Sequence, residues 1–288
     1  MPEGDTVWRT AQRLHKALAG GEVVLCDLRF PDLATVDLRG ATTIEVVSRG
    51  KHLLHRFSSG VTLHSHLKME GQWRVESPAD APRWLRRDDL RAAVGTTSWT
   101  GLGLRLGLLE LVPTGAESSV VGHLGPDLLG PDWDLPTALA NLHASSATIG
   151  AALLDQRNLA GIGTLWASES LFLSGVGPWT PAAQLEDRDL ERVVTRAHTL
   201  LQQSRHHAVQ SSTGSRRKGE ESYVHARSGR PCRRCGTTIR VAMIGPPGQE
   251  RTMFYCPHCQ HGLAPTDDGR PQRPLGSTPG RAGSYRRS

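Results

Sequence analysis

Four cysteines near the C-terminus constrain this chain most. Cys232, Cys235, Cys256 and Cys259 form two Cys-x-x-Cys pairs with twenty residues between them. Two thiolates three positions apart converge on one ion from a tight turn, and a second such turn completes the tetrahedron that zinc prefers. Turn residues accompany each pair, Pro231 to Gly236 and Pro257 with Gly262, and the stretch between them reads as two strands. One structural zinc ion on a hairpin spanning 231–263 is expected. Unrelated structural thiols are the alternative, which this spacing disfavours. A closed four-cysteine site holds a fold together and says little about activity.

Charge gives the next constraint. The formal net charge is +6, and between Arg205 and Arg234 eight Lys/Arg face only Glu220 and Glu221, a local excess of +6. Such clustering points to a polyanion, most simply a nucleic acid, with a solvated basic loop as the bland alternative. At 288 residues and 38% hydrophobic content the chain is long enough for two domains with cores. No apolar run reaches membrane-span length and the N-terminus lacks a signal-peptide pattern, so a membrane partner is not expected. With four cysteines paired as ligands only Cys26 is left over, which suits a reducing cytoplasm.

Along the chain, Val7, Ala11, Leu14 and Leu18 recur on one helical face, and Gly20-Gly21 ends that helix. Short β-type runs follow at 23–30, 43–48, 52–57, 61–66, 73–76, 92–97 and 104–111. A helix plus a β-sandwich or barrel is therefore expected over residues 2–114, an α+β architecture. Gly, Pro and Asp accumulate at 115–136, read as an interdomain linker. Helical patterns then cover 137–144, 148–154, 165–173 and 181–203, giving a helical domain over 137–204. Residues 205–230 read as a mobile basic loop, and 264–288 as a disordered basic tail rich in Pro, Gly, Ser and Arg. Between two of the helices lies Asp155 to Thr164, whose glycines leave the backbone open and whose Thr164 is placed to cap the next helix. Backbone N–H groups at such a start can bind phosphate, although a plain interhelical turn has the same look.

The N-terminus offers chemistry. A proline at position two normally lets Met1 be removed, exposing the secondary amine of Pro2. An α-amino group titrates at about 8, so roughly a tenth or more is free nucleophile at neutral pH. Such an amine can attack a sugar C1′ and form an iminium ion, with Glu3 beside it moving protons. Alone, Pro-Glu at this position is common and carries no function.

It does not stand alone. Pro2-Glu3-Gly4-Asp5-Thr6, then Ser48-Arg49-Gly50-Lys51-His52-Leu53-Leu54, then His64 to Trp73, then Leu153 to Phe172, and finally Gln249 to Pro257 occur in one order. In that order they resemble the formamidopyrimidine-DNA glycosylase and endonuclease VIII family of bifunctional DNA glycosylases/AP lyases, over roughly residues 2–263. The resemblance implies a β-sandwich catalytic domain, a helix–two-turn–helix domain and a four-cysteine zinc finger. It implies Pro2 as the Schiff-base nucleophile, Glu3 as proton shuttle and Lys51 as a phosphate-holding residue that helps catalysis. Met69 would fill the gap left by an extruded nucleotide, its alternative being an ordinary core methionine. Arg251 would reach the DNA from the zinc hairpin. The partner implied is damaged DNA, bound by a monomer at the nucleoid.

Two departures stand out. The family usually has asparagine where this chain has Thr164; a hydroxyl can contact phosphate but cannot supply two amide donors, and Asn158 is a candidate to compensate. The stretch Ser211 to Gly219 is short and basic where purine-recognising members carry a longer glycine-rich loop. With Pro-Glu-Gly at the start, this favours the endonuclease VIII branch, oxidised pyrimidines and β,δ-elimination. An 8-oxoguanine and formamidopyrimidine glycosylase is the alternative within the family, and a catalytically silent zinc-ribbon protein that binds damaged DNA is the alternative outside enzymes.

Overall fold

A computed structural model describes residues 2–272. Helix α1 (Gly4–Leu18) leads into eight strands: β1 (Leu25–Leu28), β2 (Thr43–Arg49), β3 (His52–Phe57), β4 (Val61–His66), β5 (Gln72–Glu76), β6 (Leu90–Gly95), β7 (Thr100–Leu104) and β8 (Leu108–Pro113). A short helix α2 (Ala81–Leu85) precedes β6. The strands form two antiparallel four-stranded sheets, ordered β1-β6-β7-β5 and β2-β3-β4-β8. The apolar face of α1 (Val7, Ala11, Leu14, Leu18) enters the same core as Val46, Leu53, Phe57, Leu63, Trp73 and Val94 from both sheets. That shared burial is what joins helix and sandwich, as the alternating strand pattern predicts.

One expected strand is two. The run 104–111 breaks at Arg105, whose φ of +47° turns the chain, so Leu104 ends a strand of the first sheet and Leu108 begins one of the second.

The connection carries α3 (Ser118–Val121), and Glu117 just before it accepts from Arg56 at 2.7 Å and Thr62 at 2.6 Å, fastening the segment to the second sheet. Helices α4 (Leu135–His143), α5 (Ile149–Leu154), α6 (Thr164–Ser174) and α7 (Asp187–Ser204) then surround a second core built on Leu142, Leu153, Trp166, Leu171, Val194 and Leu201. The last helix starts later than its pattern suggests, because the chain after Pro181 first forms a 3-10 turn over Ala182–Gln184. None of the helices is long and apolar enough to cross a membrane among the described residues.

Two expectations of disorder need correcting. The basic segment 205–230 is anchored: the buried Glu169 carboxylate on α6 accepts from the backbone N–H groups of Tyr223 (2.9 Å), Val224 (2.8 Å) and His225 (2.7 Å), and from the Ser212 hydroxyl. Three amides that would otherwise be buried unpaired hold it in place. Beyond it, β9 (Arg240–Ile244) and β10 (Arg251–Tyr255) form the expected hairpin. The chain after Leu263 is ordered as far as the description reaches. Asp267 pairs with the buried Arg240 and accepts from the Tyr255 hydroxyl, while Gln272 bonds both the N–H (2.8 Å) and the C=O (3.0 Å) of Val241. These bonds satisfy polar groups along the hairpin edge, which is why the tail cannot leave at 264. Residues 273–288 of the expected tail lie outside the described residues.

Candidate active site

Three glycines bring the distant motifs together. Gly4 donates its N–H to the Gly161 carbonyl at 2.8 Å, and a Cβ on Gly4 would lie 2.9 Å from the Gly161 Cα. Gly50 turns the β2–β3 hairpin at φ +57°, and a Cβ there would lie 3.1 Å from the Ala160 side chain. At Gly4 only backbone fits, and at Gly50 a side chain would be both tight against Ala160 and strained by the left-handed φ. The N-terminus, the hairpin tip bearing Lys51 and the turn 160–163 thus share one point at the domain junction. Asp127 locks it, accepting from Gly50 N–H at 2.7 Å and Leu129 N–H at 3.0 Å.

Glu3 sits in this junction, 1% exposed. Its carboxylate accepts from the N–H groups of Gly163 (2.7 Å) and Leu165 (2.8 Å), and more weakly from Trp166 (3.4 Å). These are the orphan amides of the α6 start, so Glu3 caps that helix across the domain boundary. Thr164, expected to cap it, is its first residue and is buried, while Gly163 occupies the cap position without a side-chain bond. The anion at this helix start is the protein's own carboxylate. Burial raises the Glu3 pKa to about 7 against the opposing pull of Lys51 and the two amides, with nearby Asp5 adding to the rise. Burial likewise pushes the Lys51 ammonium down, opposed by Glu3 and reinforced by the charge of Arg251. Glu3, Lys51 and Arg251 are therefore within one electrostatic neighbourhood.

Pro2 lines a cavity of about 400 Å3 together with Thr6, Arg9, Arg13, Met69 and Gln72. Met69 is 64% exposed, which removes the core-methionine reading. Arg251, exposed, opens β10 at the base of the hairpin tip. Asn158 is not brought into the site. Its amide nitrogen bonds the Ala152 carbonyl at 2.9 Å, which engages one of its two N–H donors locally. Sequence reasoning missed Asp127 and the cavity arginines Arg9 and Arg13, which carry no local spacing signal.

The four cysteine sulfurs lie within 4.8 Å of one another, with Cys232–Cys259 at 4.0 Å and Cys235–Cys256 at 3.5 Å. Sulfurs about 2.3 Å from a tetrahedral ion lie roughly 3.8 Å apart, so the set fits one thiolate-bound metal.

A formamidopyrimidine-DNA glycosylase N-terminal domain model matches residues 1–100, and a formamidopyrimidine-DNA glycosylase H2TH domain model matches residues 124–216. The chain is 49% identical over 273 residues to a Streptomyces coelicolor relative named probable endonuclease 8 2, covering 94% of this chain and 98% of that one. The chain belongs to the formamidopyrimidine-DNA glycosylase/endonuclease 8 family. Within the family it is 44% identical to the Mycolicibacterium smegmatis DNA-(apurinic or apyrimidinic site) lyase Nei2, covering 90% of this chain and 99% of the relative. Identity to a Lactiplantibacillus plantarum formamidopyrimidine-DNA glycosylase is 29%, covering 89% of this chain and 97% of the relative, which places the chain nearer the endonuclease 8 2 relatives. The fold matches Lactococcus lactis formamidopyrimidine-DNA glycosylase, solved bound to DNA containing an AP site, at a TM-score of 0.76 and 24% identity over 90% of this chain and 99% of that one.

Proposed function

We propose that this family member is a bifunctional DNA glycosylase/AP lyase of base excision repair that acts on oxidised pyrimidines in the cytoplasmic nucleoid. The observation that carries it is the convergence of Pro2, Glu3 and Lys51 at one glycine-lined junction beside an exposed Met69. A damaged nucleotide is extruded, at a cost of a few kcal/mol that is smaller for a weakly stacked base, and Met69 enters the vacated space. The free amine of Pro2 attacks C1′ as the bond from C1′ to the base breaks, and the base leaves with a proton. Glu3, near 7 and therefore able both to give and to take a proton, protonates the ring oxygen as the sugar opens to an iminium. Loss of the C2′ proton then expels the 3′ phosphate, a second elimination expels the 5′ phosphate, and hydrolysis frees Pro2. Lys51 and Arg251 hold phosphates flanking the lesion, and Thr164 adds a weaker contact than asparagine would. Preference for pyrimidines rests on the short 211–219 segment and on the endonuclease 8 2 relatives.

Zinc is the metal proposed for Cys232, Cys235, Cys256 and Cys259, where it supplies no chemistry and fixes the hairpin that carries Arg251. Borohydride trapping on an abasic-site oligonucleotide, followed by peptide mass spectrometry, tests the reading. An adduct on Pro2 is expected. No adduct from protein that lacks Met1 and binds DNA would leave a silent damage-binding protein.

A further inference from the structure

Beside this junction, on the face of the second sheet opposite its core residues Leu53 and Leu63, lies a polar network that the proposed mechanism does not use. His52 begins β3, His64 and His66 lie on β4, Glu110 on β8, and His123 follows α3. Glu110 Oε1 is 2.7 Å from His64 Nδ1, and His64 Nε2 is 2.7 Å from His52 Nδ1. A carboxylate oxygen accepts, so His64 donates its Nδ1–H to Glu110, and its Nε2 shares one proton with His52 Nδ1. The His52 ring stacks on His64 and meets His66 edge-on, each with centroids 5.0 Å apart.

The network ends at the loop that presents Met69. His66 Nδ1 accepts from the Lys68 N–H at 2.9 Å. Lys68 has φ +53°, a left-handed conformation that a side chain disfavours and that its surroundings must impose. Leu67 is buried on one side, and its carbonyl closes the turn by accepting from Gly71 N–H at 2.9 Å. The Lys68 stem runs past Gly107, where a Cβ would come within 2.3 Å of Lys68 Cγ. Met69, next in the chain, is thereby held outward. Burial, then the charges of Lys68 and Lys51, then His64, push the His66 pKa down to about 4, and His52 is pushed to about 3 by burial, His66, His64, His123 and Lys68. At neutral pH the His66 Nδ1 lone pair is free to accept.

We propose that His66 is a positioning residue for the wedge: its Nδ1 holds Lys68 in the left-handed turn that aims Met69 into the space left by an extruded nucleotide. This rests on the repair reading above. The test uses the full chain and a duplex bearing a tetrahydrofuran abasic analogue with 2-aminopurine opposite it, reading affinity and the fluorescence change together. His66→Leu removes the acceptor, and His66→Asn restores one at nearly the same place. Leucine should weaken binding to the abasic duplex about fivefold to tenfold, the worth of one hydrogen bond, and shrink the fluorescence response, with undamaged-duplex affinity within about twofold. Asparagine should recover most of both. In a Met69→Ala background His66→Leu should add less than about twofold, because it acts through Met69. Gly107→Ala, which displaces Lys68 from its other side, should behave like His66→Leu and keeps the test open if the leucine variant folds poorly. Full additivity with Met69→Ala, or no loss in either His66→Leu or Gly107→Ala, overturns the inference. Borohydride trapping by the wild type separates the two readings: trapping with additive effects sinks only this inference, whereas no trapping sinks the repair chemistry beneath it.

Discussion

Glu3 Oε2 lies 2.7 Å from the backbone nitrogen of Gly163, a residue 160 positions further along the chain. This bond makes the second residue of the proposed catalytic pair part of the helical domain's own architecture. A carboxylate that caps α6 cannot drift from Pro2 beside it without leaving the N–H groups of Gly163 and Leu165 unpaired. The domain junction and the proposed proton shuttle are thus one device, and either can be probed through the other.

Replacing Glu3 with glutamine should slow base excision about 100-fold or more while keeping binding to an abasic analogue, because the amide offers one acceptor oxygen and no titrating proton. The pH dependence follows from the raised pKa. A carboxyl at about 7 in the folded chain against 4.5 in the unfolded one holds its proton longer when folded, so its contribution to stability falls as pH rises from 4.5 to 7. The full effect is about 3 kcal/mol. Unfolding measured across that window should show the slope in wild type and lose most of it in Glu3→Gln. The excision rate should carry a limb near pH 7 that the variant lacks, and an identical profile in both proteins would remove Glu3 from the proton steps.

Gly163 should be intolerant of a single methyl group. A Cβ there would lie 2.6 Å from the Glu3 Cδ, yet its φ of −132° is one that alanine adopts without strain. Gly163→Ala should therefore displace the carboxylate rather than distort the loop. Expected are a fall in excision of about 10- to 100-fold and little further loss when combined with Glu3→Gln, since both act on one group. Independent, additive losses in single-turnover assays would mean that the glycine serves something else.

These relationships mark how far sequence reaches. The cysteine spacing, the β-type runs at 52–57 and 61–66, and the helices of the second domain are local patterns, and the structure has them within a few residues. Pro2, Glu3 and Lys51 could be named from motifs. What joins them could not, because Gly163, Leu165 and Gly50 act through backbone N–H groups that no residue identity announces. The expected Thr164 cap failed for that reason: the acceptor comes from another domain. Asn158 shows the converse, a local carbonyl at Ala152 engaging one N–H of its amide. Glu169 is the same kind of residue, an acidic side chain within a helical apolar pattern whose three amide partners lie 54 to 56 positions away.

Glu169→Ala should release the basic segment 205–230. Its removal leaves the N–H groups of Tyr223, Val224 and His225 without their acceptor, at a cost of about 1–3 kcal/mol for each that stays buried. The chain can avoid that cost by exposing the segment to water, so limited proteolysis should cut between 205 and 230 in the variant and spare the wild type. DNA affinity should fall with it as Arg216, Arg217 and Lys218 lose their fixed placement, and the salt dependence of binding should flatten. Resistance to protease equal to wild type would show that the other contacts suffice.

Metal removal should act on the hairpin alone. The cysteine site packs with Phe172, Val224, Ile239 and Phe254, and neither larger core contains one of its ligands, although Ile244 and Met253 of the hairpin enter the helical core. Chelation should therefore leave most helical signal intact while weakening DNA binding about 10-fold or more, as Arg251 loses its bearing. The segment after Leu263 adds a second prediction here. Arg240, Tyr255 and Gln272 tie the hairpin edge without any metal, so metal-free protein should keep part of the hairpin ordered. Asp267→Ala should abolish that residue of order, because its carboxylate serves both Arg240 and Tyr255. Hydrogen exchange across 240–255, with metal content measured on the same sample, separates the contributions. Equal protection in metal-free wild type and metal-free Asp267→Ala would show that the strap holds nothing on its own.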